Sequence, residues 1–374
     1  MRRFRLMAAV VMAAGAFSAS AERHLEFSAN VFNAVVGVSN TVSTVISPFA
    51  CEMDFAVLSE AHEPVPKAKF IEALGALTGY DQVLLPVAAF YARNETNAFD
   101  LVSARAFLVP HFSMIDTAFR FRIREEFKVE SCRFAAGGFG AECWFRAMLD
   151  GAAEDFRLPA QVTESERFSF MDLESFTVRW AHSFFGPGEG PVKLEFRRAD
   201  GGVDEVEAMH AVMGGGGIWQ ANEHTMLCLP MAGGMVFYAF LPAEGVPLAR
   251  VRRIFSGTSV AELLVKTRSV TEPGVATGPL EVTLPLMDVD TTVDLTPAAA
   301  AFRLDLVDFS AIRSAESPEV FSQRCRFRLG GEGVAPKEAV ARPVRTLVFD
   351  RPFMFFIYHE GTRSMPVAGI YGGR

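Results

Sequence analysis

The run of 17 residues from Met226 to Pro242 has no charged side chain, and it restricts the possible folds more than any other segment. It is shorter than the roughly 20 apolar residues that a membrane-spanning helix needs. Pro230 and the pair Gly233-Gly234 also interrupt it. Two short apolar segments around a Gly-Gly turn are typical of neighbouring strands that are buried on both faces. We therefore expect a β-sheet inside a large core and no membrane span.

The composition supports such a core. Of the 374 residues, 50% are hydrophobic and 35 are phenylalanine, which is enough apolar surface to drive folding in water. Helical and strand-like segments are mixed without a regular strand–helix–strand alternation, which favours an α+β fold over a doubly wound sheet. No repeat or low-complexity linker divides the sequence, so we predict one domain over residues 22–374.

The amino terminus has the pattern of an export signal. Three arginines among the first five residues precede an apolar run from Leu6 to Phe17, and the small triplet Ala19-Ser20-Ala21 follows. This order is typical of a Sec-type signal peptide. The junction has no cysteine, so we do not expect a lipid anchor. We predict that residues 1–21 are removed, that the mature chain starts near Glu22, and that the protein is secreted or periplasmic.

Net charge excludes one class of partner. The whole chain has 36 basic and 44 acidic residues, a net charge of −8. Loss of the three leader arginines leaves 33 basic against 44 acidic residues, a net charge of −11. An acidic protein is a poor nucleic-acid binder, because phosphate contacts need clustered basic side chains.

Hydrophobic spacing and turn residues predict the main elements. The predicted helices are a segment from residue 26 that leads into a strand at Val42–Ile46, a second helix that starts at Ser47-Pro48, Thr117–Phe127, a short helix ending at Trp144–Leu149, and a helix start at Leu295–Phe302. The predicted strands are Leu101–Val109, Ser169–Trp180, two within 226–242, Leu280–Leu286, and a terminal hairpin of Phe353–Tyr358 and Met365–Tyr371.

Motifs of common enzymes are absent. The sequence has no H-E-x-x-H, no phosphate loop with Gly-Lys-Ser/Thr and no G-x-S-x-G. Its seven histidines are scattered, without metal-ligand spacing to a carboxylate. The glycines at 214–217 lack a following Lys-Ser/Thr, so we interpret them as a turn between strands and not as a phosphate cradle. We predict no enzyme activity, no cofactor and no metal site.

The five cysteines give little information. An odd number leaves at least one unpaired in a monomer. Their neighbours are mostly apolar, which favours buried thiols that act as small hydrophobic residues. Cys132 and Cys143 are close enough in sequence to form a disulfide, but they lack the second ligand pair that a zinc site needs.

Eight segments, in chain order, match short motifs of one known family. They are Ser47-Pro48-Phe49-Ala50, Leu101–Val109, Trp144 with Gly151, Trp180, Leu280–Pro285, Asp308-Phe309-Ser310-Ala311-Ile312, Arg351–Ile357 and Pro366–Gly369. Together they resemble the serpin family over about residues 26–373. The resemblance implies a five-stranded central sheet, two further sheets, about eight or nine helices and an exposed reactive loop. In inhibitory serpins a protease cleaves that loop, which inserts as a new central strand and traps the enzyme.

The resemblance also assigns a sheet-opening cluster, and this chain departs from it. The cluster comprises Ser47, Ala50, Asp172 and Gln323, with Trp180 near the top of the central sheet. The family usually has two Ser, an Asn and a His at the first four positions, so here one hydroxyl is lost and an amide is replaced by a carboxyl. A buried carboxyl at 172 needs donors or must take up a proton. The change favours a sheet that no longer opens.

The loop departs from the family pattern as well. The hinge is assigned to Gly331, Glu332, Gly333, Val334, Ala335, Pro336, Lys337 and Glu338. On insertion, alternate side chains from Val334 to Arg342 would face the core. Pro336 cannot donate a ladder hydrogen bond, and burying Glu338 and Arg342 unpaired costs several kcal/mol for each charge. A register slip of one residue buries Lys337 instead.

Family spacing from Gly333 places the scissile residue at Leu347. The candidate scissile region comprises Arg342, Arg345, Thr346, Leu347 and Val348. The loop is short, because Phe349 already belongs to the segment before Pro352. Both arginines suit trypsin-like pockets, although a solvated loop face also explains them.

Two functional hypotheses follow. The length and the side chains of the loop favour a non-inhibitory, monomeric serpin that acts as a binding scaffold at the cell exterior. A serine or cysteine protease would then be only a substrate-like partner, which cleaves the loop without being trapped. The alternative is an active serine-protease inhibitor with Leu347 or Arg345 as bait.

Overall fold

The structure is a computed structural model that describes residues 25–36, 42–62, 98–110, 113–134, 139–149, 156–253, 260, 262, 264, 275–304, 309–312, 317–338, 342–343 and 345–373. The predicted signal peptide, Gly151, Asp308 and loop residues 339–341 and 344 lie outside these ranges.

Helices and strands occur mainly where the sequence predicts them. The helices are α1 over 25–35, α2 over Pro48–Ser59, α3 over Thr117–Phe127, α4 over Phe139–Met148, α5 over Ala160–Glu164, α6 over Leu248–Arg252 and α7 over Thr296–Ala301. The strands are β1 Thr44–Ile46, β2 Phe99–Pro110, β3 Glu130–Phe134, β4 Ser169–His182, β5 Val192–Arg197, β6 Val203–Gln220, β7 His224–Pro230, β8 Met235–Pro242, β9 Val275–Pro285, β10 Met287–Asp294, β11 Phe321–Ala335, β12 Arg345–Val348, β13 Phe353–His359 and β14 Ser364–Tyr371.

Local chemistry explains the start of α2. The Ser47 hydroxyl accepts a hydrogen bond from the Ala50 N–H at 3.2 Å, and Pro48 occupies the first turn, where its missing N–H leaves no bond unmade. The predicted helix start at Ser47-Pro48 is therefore confirmed. It fixes the amino-terminal end of α2 directly beneath the central sheet.

The central sheet has five strands in the order β10-β11-β4-β2-β3. Neighbouring strands β11 and β4 are parallel, as are β2 and β3, whereas the other two pairs are antiparallel. The mixed sheet confirms the α+β prediction.

The remaining nine strands form one continuous sheet in the order β1-β14-β13-β8-β7-β6-β9-β12, with β5 paired to β6. The two smaller sheets implied by the resemblance are thus joined through the long strands β6 and β9. The charge-free run forms β7 and β8 around a Gly233-Gly234 turn in which both glycines have positive φ, as predicted.

The predicted turn at residues 214–217 is wrong. These glycines lie inside β6, at a shift of register between Met213 and Gly216. A Cβ on Gly216 would lie 2.8 Å from side-chain atoms of Leu229 and Leu280. Glycine is needed here because strands approach closely on both sides, and not because the chain reverses.

Both faces of the central sheet are covered. One face packs on the main core, which contains most of the buried phenylalanines. A second apolar cluster on the other face joins α4 to β2 and β4, through residues such as Phe145, Ala106 and Leu173. Insertion of a further strand into this sheet would therefore displace packing on both sides.

Candidate functional site

The seam between β4 and β11 is the place where a cleaved loop would have to enter. The two strands pair in parallel without interruption from Phe321 opposite Phe170 to Leu329 opposite Val178. The sheet is closed along this length. An entering strand would have to separate every one of these pairs.

Pairing resumes above a shift of register and includes the predicted hinge. Gly333 lies opposite Trp180, and Ala335 lies opposite His182. The Trp180 Nε1–H donates to the Gly330 carbonyl at 2.7 Å. Trp180 therefore lies near the end of β4, next to the hinge.

The turn after β4 adds further bonds to the hinge. The Ser183 N–H donates to the Ala335 carbonyl at 2.9 Å, and the Phe184 N–H donates to the Gly331 carbonyl at 2.8 Å. The Ser183 hydroxyl also donates to the Gly331 carbonyl, at 3.1 Å. Hinge residues 331–335 are thus part of the sheet and not of a free loop.

Two hinge glycines allow this close packing. A Cβ on Gly333 would lie 2.1 Å from the Ser183 nitrogen and 2.3 Å from the His182 carbonyl carbon. A Cβ on Gly331 would lie 2.3 Å from the Phe185 ring. Neither position tolerates a side chain without moving backbone or a half-buried ring.

The next residues are held by polar contacts. The Lys337 ammonium lies 2.6 Å from the Glu189 carboxylate. One Glu338 oxygen lies 3.1 Å from His182 Nε2, and the other accepts a hydrogen bond from the Gly214 N–H at 3.2 Å. The remaining hinge residues Glu332, Val334 and Pro336 are exposed.

Four candidate scissile residues lie in a strand. Residues Arg345 to Val348 form β12, which pairs in parallel with residues 280–283 of β9. Leu347 is half-buried against the main core, and the Thr346 hydroxyl donates to Glu281 at 2.6 Å. Arg342 is exposed and lies outside the strand.

The sheet-opening cluster is assembled around Gln323. Its Nε2 donates to Asp172 Oδ2 at 2.8 Å and to the Ser47 carbonyl at 3.3 Å, and its Oε1 accepts from the Ser47 N–H at 2.7 Å. Asp172 and Gln323 are both fully buried. Ala50 contributes only its backbone N–H, to the Ser47 hydroxyl. The predicted members therefore do meet, except that Trp180 lies further up the sheet.

Three charged residues that were not predicted from the sequence complete this cluster. Arg105 lies opposite Asp172 on β2, and its Nε is 3.3 Å from Asp172 and 3.1 Å from Asp54 of α2. Its Nη2 contacts Glu174, which also accepts from the Ser103 hydroxyl at 2.7 Å. A charged residue within an apolar, alternating strand segment was the available signal for Arg105.

Charge in this cluster is unbalanced, because three buried carboxyl groups surround one guanidinium. Burial and the neighbouring Asp172 raise the pKa of both Asp54 and Glu174 well above the usual range, although Arg105 lowers it. Burial lowers the pKa of Arg105, but the three carboxyls raise it by more. The cluster therefore retains protons that ordinary carboxyl groups would lose.

The cysteines take part in no disulfide. Cys51 and Cys325 are buried, and burial raises the pKa of each thiol. Cys143 is exposed, so the prediction that the cysteines are buried holds only for some of them. Cys132 and Cys143 are not bonded to each other.

Within the residues that the structure describes, no group of three or more His, Cys, Asp or Glu side chains is arranged to hold a metal ion. Over the same residues, no helix is long and apolar enough to cross a membrane.

Comparison with known proteins gives a consistent result. A family model described as "Serpin (serine protease inhibitor)" matches residues 22–371. A comparison with curated protein sequences found no match.

The fold is similar to several solved structures. Native protease nexin-1 with heparin is 19% identical, with a TM-score of 0.80 over 96% of this chain and 100% of that one. Uncleaved ovalbumin is 15% identical, with a TM-score of 0.79 over 95% and 100%. The thermophilic serpin tengpin in its native state is 15% identical, with a TM-score of 0.76 over 95% and 94%.

Proposed function

This chain belongs to the serpin family, and on that premise we propose that it is a non-inhibitory member, a protein-binding scaffold that acts outside the cytoplasm. The role involves no catalytic step. Export rests on the predicted signal peptide, and mass spectrometry of exported protein that still carried Met1 would overturn it. The observation that carries the non-inhibitory proposal is the short connection between β11 and β12.

That connection is too short to fill the seam. Residues 336–344, nine in all, link Ala335 at the end of β11 to Arg345 at the start of β12. A cut after Arg342 would leave residues 334–342 to insert, nine in all, which is about 30 Å of extended chain at about 3.3 Å per residue. Strand β4 has 14 residues, roughly 46 Å by the same rise. An inserted segment would span about two thirds of the strand.

Side-chain chemistry also opposes insertion. Pro336 would leave a carbonyl of the ladder without a donor. Glu338 would exchange its contacts with His182 and Gly214 for a buried position without a partner. Lys337 would lose the Glu189 carboxylate. Valine at 334 offers only about 1.5–3 kcal/mol in return.

The loop is also a poor substrate for a protease. The bond after Arg342 leads into Pro343, whose ring removes the N–H and restricts the preceding residue, so a trypsin-like enzyme would cleave it slowly. The bond after Arg345 lies within β12, where it is paired to β9. This strand would first have to separate from β9 before a protease could bind it.

An assay for covalent complexes tests the proposal. The full mature chain is incubated with trypsin-like, chymotrypsin-like and papain-like proteases, and the products are resolved in SDS next to a known inhibitory serpin. We expect only cleaved chain and free, active protease. An SDS-stable complex at near-equal stoichiometry with any of these enzymes would establish the inhibitor alternative.

A further inference from the structure

His182, the last residue of β4, lies between two oxygen acceptors from the loop. Its Nδ1 is 3.2 Å from the Pro336 carbonyl oxygen, and its Nε2 is 3.1 Å from a Glu338 carboxylate oxygen. Both contacts come from residues that directly follow β11. The imidazole thus bridges the end of β4 to the first residues of the loop.

The nature of the two acceptors determines the charge of the ring. A carbonyl oxygen has no proton to give, and neither has a carboxylate. A neutral imidazole has one N–H and one lone pair, so it would direct its lone pair at one of the two oxygens. Only the imidazolium form donates from both nitrogens. Donation to both oxygens at once therefore requires the protonated ring.

The other charged groups around His182 are paired with one another or exposed. On the loop and the turn after β4, Lys337 and Glu189 neutralise each other at 2.6 Å. Glu332 is exposed on β11. Arg179 of β4 lies 3.9 Å from Asp100 of β2.

Strand β6 contributes a backbone group to this site. The Gly214 N–H, at the register shift of β6, donates to the second Glu338 oxygen. The titratable residue of β6 nearest in sequence, His210, is engaged with Thr283 at 2.9 Å and faces Glu281 at 3.7 Å.

We propose that His182, Pro336, Glu338 and Gly214 form a proton-dependent latch that holds the loop against the top of the central sheet. Protonated His182 closes the latch by donating to Pro336 and pairing with Glu338. Loss of the proton removes one of the two contacts and the charge attraction, so the loop detaches more often. Because the protonated ring closes the latch, the latch is closed at the lower pH and open at the higher pH.

This device goes beyond the proposed scaffold role and does not depend on it. A loop that detaches at higher pH would be more accessible to proteases and to binding partners, whether or not it inserts afterwards. The readout below is the rate of cleavage of the chain itself, so a failure of the latch and a failure of the non-inhibitory proposal are distinguishable.

Limited proteolysis at pH 5.5 and pH 8.0 tests the latch. The full mature chain is treated with a broad-specificity protease that is active at both pH values, and cuts between residues 335 and 345 are quantified by mass spectrometry. A free synthetic peptide of residues 334–346 corrects for the pH dependence of the protease. We expect the corrected rate to rise about threefold to tenfold between pH 5.5 and 8.0, as for the loss of one half-exposed, charge-assisted contact.

Variants identify the groups. His182→Gln should give a fast rate that no longer changes with pH. Glu338→Gln keeps an acceptor oxygen but removes the charge attraction, so it should give a faster rate with a weaker pH dependence. His210→Gln removes another half-exposed histidine with an acidic neighbour, which lies next to β12 and not at the latch, and should keep the pH dependence of the wild type. A wild-type rate that is the same at both pH values, or a pH dependence that persists in His182→Gln, would overturn the proposal.

Discussion

Gln323 of β11 donates a hydrogen bond to Asp172 of β4 directly across the closed seam, with 2.8 Å between Nε2 and Oδ2. The same side-chain amide accepts a hydrogen bond from the Ser47 N–H at the start of α2, at 2.7 Å. One side chain therefore ties both strands of the seam to the helix beneath them. Separation of β4 from β11 would break this link in a fully buried position.

Gln323→Ala should destabilise the fold. The change leaves the Asp172 carboxyl and the Ser47 N–H without these partners, and each buried unsatisfied group costs about 1–3 kcal/mol. Urea unfolding measures the loss. The exposed Gln220 of β6 offers a control, since Gln220→Ala should change stability by less than about 0.5 kcal/mol. Equal effects of the two substitutions would contradict the role of Gln323.

Arg105→Leu should destabilise the chain by about 3–5 kcal/mol at pH 7, because it leaves three buried carboxyl groups without their counter-charge. The loss should be smaller at pH 5, because burial raises the pKa of Asp54 and Glu174 and these two carboxyls take up protons more easily there. Arg124→Leu is the control, because Arg124 forms an exposed ion pair with Glu125 that contributes little. A loss of the same size at both pH values would show that Arg105 acts through packing alone.

The buried carboxyl groups should make stability depend on pH. A carboxyl whose pKa is raised on folding keeps its proton in the folded chain after the unfolded chain has lost it. The contribution of Asp54 and Glu174 to the free energy of unfolding is therefore greatest below the usual carboxyl range and falls as pH rises through their raised pKa values.

Glu174→Gln isolates this effect. The pKa values of buried His224 and His359 are lowered by burial, which acts in the opposite direction, so the slope of the variant must be compared with that of the wild type. We expect urea unfolding between pH 5 and 8 to show a less negative slope for the variant. Parallel curves for the two proteins would contradict this assignment.

Gly333→Ala should loosen the top of the seam. The new Cβ would collide with the backbone of Ser183 and His182, and overpacking of this kind costs about 1–3 kcal/mol. Hydrogen exchange at residues 331–335 should increase in the variant. Gly190→Ala is the matched control, because an added Cβ there meets no atom within 4 Å. An unchanged exchange rate at the hinge of the Gly333 variant would contradict the observed close approach.

Strong local signals made much of the fold predictable. The charge-free run around Gly233-Gly234, the helix from Thr117 to Phe127 and the start of α2 at Ser47 each combine periodicity with a turn or cap residue. The glycines at 214–217 led to a wrong prediction, because glycine favours a turn and a close strand approach alike. Only the neighbouring strands determine which of the two occurs.

The site was predictable in part. Gln323 and Asp172 could be placed by resemblance, but their partner Arg105 could not, because its role depends on the register of β2 against β4. The contact between His182 and Glu338 joins residues 156 positions apart, so no local pattern indicates it. Long-range pairs of this kind are set by the sheet topology.

Thermal unfolding before and after loop cleavage tests the central claim most directly. The loop is nicked between Gly333 and Arg345 by limited proteolysis, the cut is located by mass spectrometry, and the Tm of intact and nicked chain is compared. Because the freed segment is short and carries Pro336 and Glu338, the account predicts a Tm that is unchanged or slightly lower. A large rise in Tm on cleavage would show that the loop enters the seam between β4 and β11, and it would contradict the account.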